Sequence, residues 1–122
     1  MLKRSFLIAG FLLLNILPAL AIETTYSSVM DDLPLMLGMT EKPEDTLIFD
    51  KPGGRIVEFS VSTGAKPAAV EKFYQEDLPP LGWKALQKDQ FVRDDETLKL
   101  DFEKAEYETI VHFTLTPHDK GR

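Results

Sequence analysis

PAAVEKFYQEDLPPLGW, residues 67–83, decides how the rest of the chain is organised. Val70, Phe73, Tyr74, Leu78 and Leu81 fall at i, i+3, i+4, i+8 and i+11, which gathers them on one stripe of an α-helix and its exit turn. Glu71, Lys72, Gln75 and Glu76 occupy the opposite side. Pro67 suits a first helical position. Leu78-Pro79-Pro80 ends the helix, because proline cannot continue the hydrogen-bond ladder and disfavours helix in the residue before it. Leu81-Gly82-Trp83 then turns the chain back.

The segments on either side of this helix are strands. Upstream, Thr46–Phe49 (TLIF) reads as a short strand, and Asp50-Lys51-Pro52-Gly53-Gly54 as a tight connection. RIVEFSVS follows, alternating Val57, Phe59 and Val61 against Ile56, Glu58 and Ser60. Downstream, WKALQ, QFVR, TLKLDFE and TIVHFTLT are separated only by short polar turns. Leu98, Leu100 and Phe102 alternate with Lys99 and Asp101, as Val111, Phe113 and Leu115 do with His112, Thr114 and Thr116. Such alternation marks an antiparallel sheet with one dry and one wet face, and turns this short exclude parallel crossovers. The expected fold is α+β: one antiparallel sheet of about five to six strands in the order β-β-α-β-β-β-β, with one amphipathic helix on one face.

The N-terminus, MLKRSFLIAGFLLLNILPALA, has the layout of a secretory signal. Lys3 and Arg4 form the positive region, Phe6 to Leu14 the apolar region, and Ala19-Leu20-Ala21 the cleavage site. Asn15 and Pro18 interrupt the apolar run below the roughly 20 residues that a membrane span needs. Four segments are expected: a signal peptide over 1–21, a Met- and Leu-rich arm over 22–45, the α+β domain over 46–117 and a polar tail over 118–122. Loss of Lys3 and Arg4 with the signal would take the formal charge from −6 to −8, since none of the 20 acidic residues lies there. An acidic domain argues against nucleic acid and anionic membrane surfaces as partners. The chain has no cysteine, which excludes a lipid anchor, disulfides, thiolate metal sites and thiol catalysis together. An exported domain of this size without disulfides fits a bacterial periplasm.

Candidate sites are sparse. Met30, Leu33, Leu35, Met36, Leu37 and Met39 cluster without a clean period, and Pro34, Gly38 and Pro43 break any long helix. Leu33, Leu35, Met36, Leu37 and Met39 are therefore the candidate partner-binding residues. The competing reading packs the same arm into its own domain. Met36 and Met39 also invite a Cu(I) site, since thioethers are soft ligands, against the plainer role of methionine as a filler of irregular gaps. His112 and His118 lack a zinc-binding spacing, Ser60 and Ser62 lack a G-x-S-x-G setting, and DKPGGR lacks the lysine-serine end of a phosphate loop. No cofactor and no catalytic residue is expected.

Phe73-Tyr74, Leu78, Leu81 and Gly82-Trp83, within the order strand–strand–helix–strands, resemble a pattern of small exported bacterial domains. The pattern is similar to the helix-on-sheet modules of envelope-assembly lipoproteins such as BamC. The resemblance implies a fold and no site, and the missing lipobox cysteine departs from it. The expectation is a non-catalytic periplasmic binding or accessory protein, touching an envelope protein through a sheet edge, the wet face or the arm. The alternative is a small-ligand or Cu(I)-binding periplasmic protein.

Overall fold

The computed structural model describes Gly10 and residues 23–118, so the expected signal peptide over 1–21 and most of the tail lie outside the described residues. The main body is a six-stranded antiparallel sheet. Its strands are β3 (Thr40–Lys51), β4 (Gly54–Thr63), β5 (Lys84–Gln87), β6 (Gln90–Arg93), β7 (Glu96–Lys104) and β8 (Thr109–Pro117), arranged β3-β4-β8-β7-β6-β5. One helix, α1 (Pro67–Asp77), joins β4 to β5. A second, two-stranded sheet pairs β1 (Thr25–Tyr26) with β2 (Pro34–Leu35). The architecture is thus antiparallel α+β, as expected. The order along the chain differs, because the arm contributes two strands of its own ahead of the others.

A second difference concerns where the main sheet begins. The strand expected at Thr46–Phe49 runs from Thr40 to Lys51, so the last residues of the expected 22–45 arm belong to the main sheet. Pro43 does not end it, for a physical reason. β3 is an edge strand, and its register against β4 shifts between Lys42 and Leu47. Proline is tolerated at such a bulge, where its missing N–H costs no ladder bond.

Turns follow from residues that tolerate a positive φ. Asp89 (φ 58°) and Asp94 (φ 52°) sit in the two-residue turns β5–β6 and β6–β7, a conformation in which Asp is at home. At the helix exit, Gly82 takes φ 93°, and its N–H reaches the Pro79 carbonyl at 3.0 Å. A Trp83 N–H to Leu78 carbonyl bond of 3.2 Å completes the reversal.

Val57, Phe59 and Val61 of β4 lie opposite Leu115, Phe113 and Val111 of β8, and Leu98 and Leu100 continue the same face through β7. All eight are buried, with Phe59 stacked on Phe113 at 4.9 Å. Val70, Tyr74 and Leu78 of the helix and its exit cover part of this face. Phe73, expected in the core, is half-buried, and Leu81 is exposed. The rest of the cover comes from the arm, whose Met30, Leu33 and Leu35 join the same core.

Candidate functional site

The arm comes first, because the sequence places the candidate binding residues there. The structure buries Leu33 and Leu35 in the chain's own core and packs Met36 and Met39 against it. Leu37 alone is open, at 87% exposure. The Tyr74 hydroxyl donates to the Pro34 carbonyl at 2.9 Å, and burial, aided by the Asp77 carboxylate, pushes the Tyr74 pKa well up, so this donor stays protonated. Ser27 Oγ donates to Glu41 Oε2 at 2.9 Å and accepts the N–H groups of Val29 and Met30, which folds the turn ahead of β2 onto β3. Arg93 lies over the Trp83 ring at 4.3 Å and pairs with Asp32 of the arm at 2.5 Å. Four of the five candidate residues are thus engaged within the chain. The Met39 sulfur accepts the Met36 N–H at 3.3 Å, which ties both methionines into the packing.

A second arrangement, on the wet face, is invisible in the linear sequence. His112 Nδ1 lies 2.7 Å from Ser60 Oγ, and His112 Nε2 lies 2.8 Å from Glu103 Oε2. The network assigns the proton to Nε2, so that Glu103 accepts from the ring and Ser60 donates to it. Serine, histidine and a carboxylate in line evoke a hydrolase. Ser60, however, is 3% exposed and sits mid-strand, with Lys42 on one side and His112 on the other. Backbone N–H groups engaged in those ladders are not available as an oxyanion hole, which nucleophilic attack by serine requires. The line satisfies a buried hydroxyl. The open depression over it holds about 530 Å³ and is flanked by Asp45, Glu58 and Glu103. A similar one, about 540 Å³, lies between the N-terminus of α1 and the β7–β8 turn.

The third region is the free edge of β3. β3 and β5 are the outer strands of the sheet, and β5 is short. Among the described residues no strand pairs with the outer side of β3. Along it Leu47, Ile48 and Phe49 are 49%, 59% and 38% exposed. By register, Leu47 and Phe49 stand on the wet face, with Phe49 opposite Ile56 of β4, while Ile48 stands on the helix side opposite Val57. Consecutive exposed apolar residues on an unpaired edge form a ready template for an added strand. A signal was present in the sequence: TLIF does not alternate, so whichever face is dry, an apolar residue is left on the other.

No helix among the described residues is long and apolar enough to cross a membrane. Compared with known proteins, the chain matches no family model, no curated protein and no solved structure.

Proposed function

We propose that this chain is a non-catalytic accessory protein exported to the bacterial periplasm. In this reading it binds a protein partner by strand addition at residues 46–51 of β3. The observation that carries it is the unpaired edge with Leu47, Ile48 and Phe49 in the open. An edge of this kind supplies main-chain hydrogen bonds for affinity and side-chain positions on both faces for specificity. Export is supported by the layout of residues 1–21, ending in Ala19-Leu20-Ala21, and placement in the envelope by the resemblance to BamC-type modules. The arm, where the sequence places the candidate binding residues, is less suited to the task because four of its five candidate residues are engaged.

The reading is tested with a photo-crosslinking residue placed in living cells at Ile48, at Leu37 of the arm, or at Thr114 of the wet face. Protein adducts from Ile48 alone are expected. Adducts confined to Leu37 or Thr114 would move binding off the edge. Intact mass of the native protein checks export: a chain beginning at Ile22 is expected, and one that retains Met1 to Ala21 would remove the periplasmic assignment.

A further inference from the structure

The edge has a definite length and a definite pattern. On one side it is closed by Pro43, which has no N–H to offer, and by the bulge between Lys42 and Leu47. On the other it stops at the turn after Lys51. The pairable strand is therefore Thr46-Leu47-Ile48-Phe49-Asp50-Lys51, preceded by Asp45 within the bulge. An added strand must set apolar residues against Leu47, Ile48 and Phe49, and an acidic side chain against Lys51.

The same strand, reversed, meets those requirements in one register. Centred on Ile48, antiparallel pairing puts Leu47 opposite Phe49, Thr46 opposite Asp50 and Asp45 opposite Lys51, twice over. Moving the centre to Leu47 sets Phe49 against Asp45 and Asp50 against Glu44. Moving it to Phe49 sets Leu47 against Lys51 and Ile48 against Asp50. Parallel in-register pairing lines Asp50 with Asp50 and Lys51 with Lys51. Like charges directly opposite destabilise a pair, whereas apolar and opposite-charge pairs stabilise it.

We propose that the partner at this edge is a second copy of the same chain, paired antiparallel about a two-fold axis through Ile48. The inference rests on the edge reading above and names its occupant. Such an interface is isologous and closes on itself, so association stops at two copies. It fuses the two six-stranded sheets into one continuous sheet. Leu47, Phe49 and Ile56 of both copies then form one apolar cluster on the wet face. Lys51, whose ammonium lies 5.7 Å from the Phe49 ring centroid within one chain, gains Asp45 of the other across the axis.

The test is sedimentation equilibrium of the native processed protein over a concentration series. The expected result is a monomer–dimer equilibrium that Ile48→Lys abolishes, since the substitution sets two ammonium groups against each other at the axis. Asp45→Lys and Lys51→Asp should each weaken the dimer by about ten-fold, and the double variant should recover to within about three-fold of wild type. All four variants should keep the wild-type melting temperature to within a few degrees, which separates lost pairing from lost folding. A dimer indifferent to Ile48→Lys, or charge variants that fail to rescue each other, would overturn this interface. A monomer at every concentration, with Ile48 crosslinks to a different protein, would overturn self-pairing and leave the edge reading standing. A monomer with no Ile48 adduct would overturn both.

Discussion

The arm from Leu33 to Met39 and the edge from Leu47 to Phe49 begin alike and end differently. Both are short apolar runs without clean alternation, and both lie outside the helix. The arm is closed by polar contacts at several points: Tyr74 on Pro34, Glu41 on Ser27, and Arg93 on Asp32. The edge is held on one side only, by its ladder to β4. Apolar content therefore does not tell a covered run from an open one in this chain. The anchors do, because each removes a backbone or side-chain polar group from water only where a partner waits for it.

The sharpest way to break the contrast is to remove buried bulk from the arm. Leu33→Ala should cost about 3–4 kcal/mol in denaturant unfolding, since the side chain is fully buried and leaves a cavity. A cost under about 1 kcal/mol would return the arm to the surface. Tyr74→Phe probes the anchor itself. It strands the buried Pro34 carbonyl and should cost about 1–2 kcal/mol, with faster hydrogen exchange at the Ser27 and Leu33 amides.

Asp89 sharpens the picture at the opposite edge of the sheet. Burial first, and then a hydrogen bond to Glu71, push its carboxyl up to about 6 from an ordinary 3.8, with Asp101 adding to the rise and Lys88 opposing it. Between those values the unfolded chain releases a proton that the folded chain keeps. Stability therefore falls as pH rises through that window and levels off above about 6. Asp89→Asn keeps the turn, because Asn also tolerates positive φ, and should remove the slope. Solvent screening at this partly exposed site limits the gain at neutral pH to about 1 kcal/mol, readable from unfolding curves at several pH values. The smallest effect belongs to the β3 edge. Ile48→Ala should change monomer stability by less than about 0.5 kcal/mol, and a larger loss would mean that the edge is already covered.

The helix, the four C-terminal strands and their buried faces were legible because each is a local periodicity. The arm was not. A six-stranded sheet is about 24 Å wide at the usual strand spacing, and a helix about 10 Å across cannot cover it. That arithmetic follows from the strand count alone, but which residues fill the uncovered part depends on the spatial strand order, which periodicity does not carry. The same lack hid the Ser60–His112–Glu103 line: Ser60 and His112 fall on the wet side of their alternations, but their meeting with each other and with Glu103 depends on β4 and β7 both flanking β8. The β3 edge was half legible. TLIF failed to alternate, yet only the sheet order shows that the strand has a free side.

That sheet order also sets how the chain assembles in time. β3–β4 and the β5–β6–β7–β8 meander are each built from hairpins, and isolated hairpins close in about 1–10 μs. One seam, β4 against β8, joins the two halves, with Thr63 opposite Thr109 and Val57 opposite Leu115 across the whole length of α1 and the meander. Loop-closure entropy falls on that seam before its contacts can repay it, so the seam is expected to govern the rate of folding. Substitutions there, such as Val111→Ala, are expected to slow refolding in stopped-flow experiments. Substitutions in the arm are expected mainly to speed unfolding.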